Sequence, residues 1–108
     1  MSAPVFPATE WQWPPDVLAF AAKHKVQPYL DPLLEATQQI FPNSQKLQVY
    51  LEEDPEIRDD WHIIFDVQVS GLSVPQARVA QQEWNRALFR SCPAPLVCTF
   101  RLYLDLVP

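Results

Sequence analysis

The chain has 108 residues, enough for one compact domain, with eight basic and thirteen acidic residues and a net charge of −5. Its 48% hydrophobic and 19% charged residues are typical of a globular chain and exclude a disordered one. The chain has twelve prolines but only one glycine, Gly71. A single glycine excludes the glycine-rich loops that hold phosphates and dinucleotides. The excess of acidic over basic residues argues against general nucleic-acid binding, because proteins bind nucleic acids mainly by neutralising phosphates with basic residues.

The first residues carry no recognisable targeting signal. Residues 1–13 combine prolines and aromatic residues without a basic region, so they predict an extended arm before a single domain over residues 14–108. The longest apolar run, Val17 to Ala22, has six residues, and a bilayer span needs about 20. We therefore expect a cytoplasmic protein without membrane association, in which Cys92 and Cys98 are reduced thiols.

Two short helices are predicted after the arm. The first begins at Pro14-Pro15-Asp16 and runs to Lys23 or His24. The second begins at Asp31-Pro32, because aspartate caps helices and proline suits the first helical position, and it ends at Pro42.

Three stretches then alternate apolar and polar residues, which predicts strands over residues 46–52, 61–69 and 96–106. The alternation places Trp61 and Cys98 on the buried face and His62 on the outer face. Between the second and third strands, Ser73-Val74-Pro75 opens the longest helix, which runs to about Arg90. The buried stripe of this helix is predicted to be Ala77, Ala80, Trp84, Ala87 and Leu88.

The element order α-α-β-β-α-β predicts an α+β domain with a three-stranded sheet backed by the long helix. The first two strands form a hairpin. A right-handed crossover through the helix would place the third strand beside the first, giving a mostly antiparallel sheet of order 3-1-2. The alternative is order 1-2-3 with one parallel pair.

The net charge lies in one segment, because the remaining acids and bases of the chain are equal in number. Residues 52–60 form the acidic loop, with the single base Arg58. Its six acids are Glu52, Glu53, Asp54, Glu56, Asp59 and Asp60. They could bind a divalent cation or steer a basic partner, or they could simply keep a hairpin loop hydrated. The spacing is not that of a calcium loop.

The long helix carries a second charged feature, the arginine ridge, in which polar residues repeat every fourth position. The ridge consists of Arg78, Gln82, Arg86 and Arg90. It could bind an acidic protein or a phosphate backbone, because the arginine fork suits planar anions. It could also be an ordinary solvated helix face.

The outer face of the predicted sheet combines tyrosines with charged residues. It consists of Gln48, Tyr50, Glu52, His62, Ile64, Asp66, Thr99, Arg101, Tyr103 and Asp105. Either the N-terminal helices cover Tyr50, Tyr103 and Ile64, or the face is a semi-polar surface of the kind found in transient interfaces.

No pattern of catalytic or metal-ligating residues stands out, and we expect no metal and no cofactor. The histidines and cysteines lack zinc-ligand spacing. Cys98 is expected in the core, and Cys92 at a helix end, where the dipole raises a thiol pKa. His62 lies two residues from Asp60 in the sequence, about 6.5–7 Å in a strand, which is beyond direct hydrogen-bond reach without side-chain bending. We therefore expect a solvent-exposed or hydrogen-bonded histidine and not a catalytic one.

Several segments carry a resemblance to other proteins. Leu51–Ile57, Trp61–Val67, Gln81–Trp84 and Cys92–Leu102 resemble a group of short bacterial proteins of unassigned function. The resemblance covers most of the chain beyond the arm and implies a bacterial cytoplasmic origin. It carries no activity or site; by analogy, small α+β proteins of this size include antitoxin-like units that bind a partner.

These observations favour a non-catalytic protein-interaction module, antitoxin-like in the sense of a partner-binding neutraliser. One alternative is a small hydrolase or ligand-binding enzyme around His62, which requires a concave pocket there. Another is a nucleic-acid binder that uses Arg78, Arg86 and Arg90. A homodimer formed through the arm or the edge strands stays open.

Overall fold

A computed structural model gives the structure of the protein and describes residues 11–107. Within them the elements are α1 (Pro15–Lys23), α2 (Leu30–Ile40), β1 (Ser44–Glu53), β2 (Trp61–Ser70), α3 (Val74–Ser91) and β3 (Phe100–Val107). Two 3₁₀ helices, Gln27–Tyr29 and Ala94–Thr99, precede α2 and β3. The predicted α+β class and element order are confirmed. The predicted arm lies mostly outside the described residues.

Local sequence chemistry explains how α3 begins. The Ser73 hydroxyl accepts a hydrogen bond from the Gln76 backbone N–H, and the Gln76 side chain accepts one from the Ser73 backbone N–H. This reciprocal pair is a capping box, and it satisfies two donors that a helix start leaves unpaired. The buried stripe of α3 is also as predicted, with Ala77, Trp84, Ala87 and Leu88 buried and Ala80 half-buried.

The start of α2 differs from the prediction. Asp31 does not cap the helix, because the 3₁₀ helix Gln27–Tyr29 runs directly into it and Tyr29 occupies the cap position. The Asp31 carboxylate instead accepts a hydrogen bond from the Trp13 indole N–H at 2.9 Å. The second helix therefore begins at Leu30.

The sheet is mixed and its strand order is β1-β2-β3. β1 and β2 form the expected antiparallel hairpin, whereas β2 and β3 are parallel neighbours. The predicted order 3-1-2 is therefore wrong, and the alternative is the one observed. β2 lies at the centre, where side chains of both neighbouring strands shelter it, and four consecutive residues, His62 to Phe65, are buried.

One face of the sheet supports all three helices and the core. Phe65 in β2 lies at the centre, with its ring centroid 6.3 Å from that of Trp13, 5.9 Å from Trp84 and 6.4 Å from Phe100. Trp84 donates its indole N–H to the buried Thr37 hydroxyl at 2.9 Å, which links α3 to α2.

Two residues predicted to face the core do not. Residues 94–99 form a 3₁₀ helix rather than the start of a strand, which leaves Cys98 exposed. Trp61, the first residue of β2, is 41% exposed because it lies where the hairpin loop joins the sheet. Pro93 and Pro95 account for the late start of β3, because proline lacks the N–H donor that a strand needs.

Candidate functional site

A pocket of about 590 Å³ opens where the acidic loop meets the start of β2. α1 supplies Phe20, Lys23 and His24 to one wall. The remaining lining residues are Leu51, Asp59, Asp60, Trp61, His62, Cys98 and Thr99. The Phe20 and His24 rings lie against each other, with centroids 4.1 Å apart. The lining therefore combines aromatic side chains with charged and polar ones around the buried His62.

His62 is the most buried polar residue of this pocket, at 6% exposure, although the alternation of β2 predicts it on the outer face of the sheet. Its Nδ1 lies 2.8 Å from the carbonyl oxygen of Cys98, and its Nε2 lies 3.0 Å from Asp60 Oδ2. The predicted separation of His62 and Asp60 is wrong because Asp60 precedes β2, in a turn where Asp59 has a φ of 62°. The backbone there is not extended, so the side chains meet.

The hydrogen bonds of His62 define what the ring can do. A carbonyl oxygen only accepts, so Nδ1 must carry a hydrogen. The contact between Nε2 and the Asp60 carboxylate is then a hydrogen bond only if Nε2 also carries one, in the imidazolium form. In the neutral form, the Nε2 lone pair and the carboxylate are two neighbouring acceptors, and such a pair attracts a donor or cation.

The structure gives most of the acidic loop internal roles. Asp54 accepts hydrogen bonds from the backbone N–H groups of Glu56 and Ile57, and Glu53 accepts one from that of Asp59. The remaining contacts of Glu52, Asp54 and Asp60 are with Tyr103, Arg101 and His62, respectively. Within residues 11–107, the carboxylates of Glu56 and Asp59 have no such partner. Four of the six acids therefore have a hydrogen bond or ion pair within the described residues, two of them, Glu53 and Asp54, with backbone N–H groups of the turn.

Asp54, Asp60 and His62 are the described residues that could hold a metal ion. Each offers one ligand atom, and these atoms lie within 4.8 Å of one another. A histidine that donates its other ring N–H to a backbone carbonyl, as His62 does to Cys98, is typical of a metal ligand. However, Asp54 Oδ1 already accepts two backbone hydrogen bonds, so only its second oxygen remains for an ion.

Cys98 shares the pocket with His62, but the two do not form a nucleophile–base pair. Such a pair needs a ring nitrogen directed at the thiol. Both nitrogens of His62 have other partners, the Cys98 carbonyl oxygen and the Asp60 carboxylate. Cys92, at the end of α3, is buried, and burial raises the pKa of its thiol. The physical cause is thus burial, whereas the sequence suggested the helix dipole.

The arginine ridge lies on the outer face of α3, as the spacing predicts. Arg78, Gln82, Arg86 and Arg90 are all exposed. At about 100° per residue, Val79 and Phe89 fall on the same face, and they are 54% and 62% exposed. The four-residue repeat of polar side chains does not include these two apolar residues, although their spacing places them among the arginines.

The second face of the sheet is not covered by α1 or α2, because the core that these helices share includes only residues of the Phe65 face. Tyr50 in β1 donates its hydroxyl to Asp66 in β2, at 3.1 Å, and Tyr103 in β3 donates to Glu52 in β1. Tyr103 thus reaches across β2, and we infer that the two tyrosines cover Ile64, which is fully buried. Burial and the Asp66 bond raise the pKa of Tyr50 to about 12. The bond to Glu52 raises the pKa of Tyr103.

Comparison of the chain with protein-family models, with curated proteins and with solved structures finds no match. In the described part of the chain, no helix is long and apolar enough to cross a membrane. A bacterial source and a cytoplasmic location stay predictions.

Proposed function

We propose that the protein is a ligand-binding domain and that its site is the pocket around His62. The observation that carries the proposal is a 590 Å³ concavity with a buried histidine and a carboxylate side by side on its floor. Pockets with an apolar lining and a few convergent polar groups are typical of small-molecule sites. Because no hydrogen bond joins the Cys98 thiol to His62 in residues 11–107, we propose binding rather than covalent catalysis.

The chemistry of the pocket favours a ligand with a cationic group on an apolar or aromatic body. The Asp60 carboxylate and, in the neutral ring, the Nε2 lone pair of His62 both accept hydrogen bonds. Asp59 adds a second carboxylate without a hydrogen-bond partner among residues 11–107. The two carboxylates of the lining outnumber its one lysine, Lys23, so the net charge of the lining attracts cations. Phe20 and Trp61 offer rings against which an apolar body can pack.

A matched pair of probes tests this proposal. Tryptamine and indole-3-propionate share an indole ring and differ in the sign of the charge at the end of a short chain. Titration followed by nuclear magnetic resonance is expected to give saturable shifts at Trp61 and His62 with tryptamine and much weaker ones with the anion. Equal binding of both probes would contradict the role of the carboxylates.

Two variants with the same change of charge locate the site. Asp60→Asn removes the carboxylate beside His62, and we expect it to weaken tryptamine binding roughly tenfold, the scale of one charged hydrogen bond. Glu83→Gln on the exposed surface of α3 is the control and should leave binding unchanged. A separate titration with Zn²⁺ alone tests for a metal site. Saturable Zn²⁺ binding without tryptamine binding would contradict the organic ligand and indicate a metal site formed by Asp54, Asp60 and His62.

A second proposed function is a protein-interaction module that uses the outer face of α3. The observation in its favour is that Val79 and Phe89 are more than half exposed among the arginines. Arginine and aromatic residues together are enriched at interfaces, and single-sign charge selects an acidic partner.

The interaction proposal is tested with two variants of α3. A protein partner captured by the wild-type chain should be lost with Phe89→Ser and with the combined reversal of Arg78, Arg86 and Arg90 to glutamate. The acidic-loop variant Glu56→Gln should keep it. A salt-dependent gel shift of duplex DNA without any protein capture would favour the nucleic-acid alternative instead.

A further inference from the structure

The free edge of β3 has a sequence that complements itself. β3 pairs with β2 along one edge, and within residues 11–107 no strand pairs with its other edge. The strand reads Phe-Arg-Leu-Tyr-Leu-Asp-Leu over residues 100–106. Its apolar and charged residues alternate symmetrically about Tyr103. Leu102 and Leu104 are equally distant from Tyr103, and so are Arg101 and Asp105, which carry opposite charges.

We propose that two copies of the chain associate through antiparallel pairing of β3 with β3, centred on Tyr103. This register places Arg101 opposite Asp105 of the second copy and Leu102 opposite its Leu104. Because the arrangement is two-fold symmetric, the Arg101–Asp105 pair occurs twice. The two three-stranded sheets become one continuous sheet of six strands, and both exposed β3 edges disappear.

Arg101 and Asp105 of β3 would have closer partners of opposite charge in the dimer than they have in the isolated chain. Arg101 and Asp105 lie on the same face of β3 and four residues apart, about 13 Å, too far to pair within one strand. Asp105 is exposed and has no hydrogen bond or ion pair in residues 11–107. Arg101 is half-buried; it has a side-chain hydrogen bond with Tyr103 and a long ion pair with Asp54, at 3.8 Å between Nη2 and Oδ2, so no carboxylate lies close to its guanidinium. In the paired register each charge would instead face an opposite charge directly across the strands.

The apolar residues of β3 point to the same register. Phe100 is buried, but Leu106 remains 36% exposed and Leu102 and Leu104 are only half-buried. These residues share the face that carries the helices. Pairing with a second copy extends that face by another strand, so leucines at the margin of one core come to lie between two cores. The proposal does not use the pocket around His62, which lies just before the first residue of β3.

Charge reversal gives a decisive test by sedimentation equilibrium. Arg101→Asp and Asp105→Arg each place like charges opposite one another, and each alone should weaken dimerisation by roughly tenfold or more. Mixed in equal amounts, the two variants should form a heterodimer, because every reversed charge then meets its opposite. The variant with both changes should dimerise like the wild-type chain.

Lys25→Asp is the matched control, because Lys25 is an exposed cation in the turn after α1, outside the sheet, and the net charge changes equally. It should leave dimerisation unchanged, and circular dichroism confirms that each variant is folded. Monomeric wild-type protein, or a mixture of the two single variants that stays monomeric while both are folded, would overturn the proposal. Dissociation caused by Lys25→Asp would show that net charge and not the β3 register controls association, and it would overturn the proposal too.

Discussion

Replacing Thr37 by valine tests the hydrogen bond that holds α2 against α3. Thr37 and Trp84 are each only 1% exposed. The indole N–H of Trp84 donates to the Thr37 hydroxyl at 2.9 Å, and that hydroxyl donates to the Leu33 carbonyl at 2.7 Å. Valine has nearly the shape of threonine but no acceptor, so the indole N–H would be left buried without a partner.

The cost of that change follows from desolvation. A buried donor without a partner costs about 1–3 kcal/mol. For a domain of this size, each kcal/mol lowers the melting temperature by about 4 °C, so we expect a decrease of about 4–12 °C. Thermal and urea unfolding, followed by circular dichroism, measure both quantities.

A double-mutant cycle with Trp84→Phe isolates the hydrogen bond. Phenylalanine has no N–H, so in that background Thr37→Val should cost less than about 0.5 kcal/mol, and the coupling energy should exceed about 1 kcal/mol. If Thr37→Val costs the same with and without the indole N–H, the hydrogen bond does not stabilise the helix pair and the reasoning is refuted.

Three further predictions concern pH, a helix cap and thiol reactivity. Because folding raises the pKa of Tyr50 from near 10 to about 12, the unfolded chain loses this proton first as the pH rises. The free energy of unfolding should therefore fall between pH 10 and about pH 12, and it should fall less in Tyr50→Phe. Urea titrations at each pH measure this difference. Ser73→Ala removes the side-chain cap of α3 and should cost about 0.5–2 kcal/mol in thermal unfolding, whereas Ser91→Ala, at the exposed end of the same helix, should cost little; equal costs would contradict the capping argument. Maleimide should label exposed Cys98 in the native protein and buried Cys92 only after unfolding. Mass spectrometry of the labelled chain identifies the modified cysteine, and labelling of native Cys92 before Cys98 would contradict the prediction.

The sequence predicts the elements well because their signals are local. Ser73 followed by Gln76 specifies a helix start within four residues, and the alternation around Phe65 specifies a strand with a buried face. The strand order is not local. It depends on which strand is buried on both faces of the sheet, and in β2 the buried residue on the second face is Ile64.

The pocket could be predicted only in part. His62 was singled out from its neighbouring acids, yet its burial and its bond to Asp60 depend on a turn with a left-handed residue, Asp59, that no glycine marks. The bond from His62 to the Cys98 carbonyl joins residues 36 apart in sequence and depends on the 3₁₀ helix before β3. Such contacts arise from the packing of distant segments, which periodicity does not reveal.

The imidazole nitrogens of His62 report most directly on whether the pocket is a binding site. Their ¹⁵N resonances can be measured in the free protein and during titration with tryptamine. The account predicts that Nδ1 keeps its hydrogen, because the Cys98 carbonyl continues to accept it, while the Nε2 resonance shifts and saturates as the ligand's ammonium group approaches Asp60. An Nε2 resonance that stays unchanged throughout the titration would contradict it.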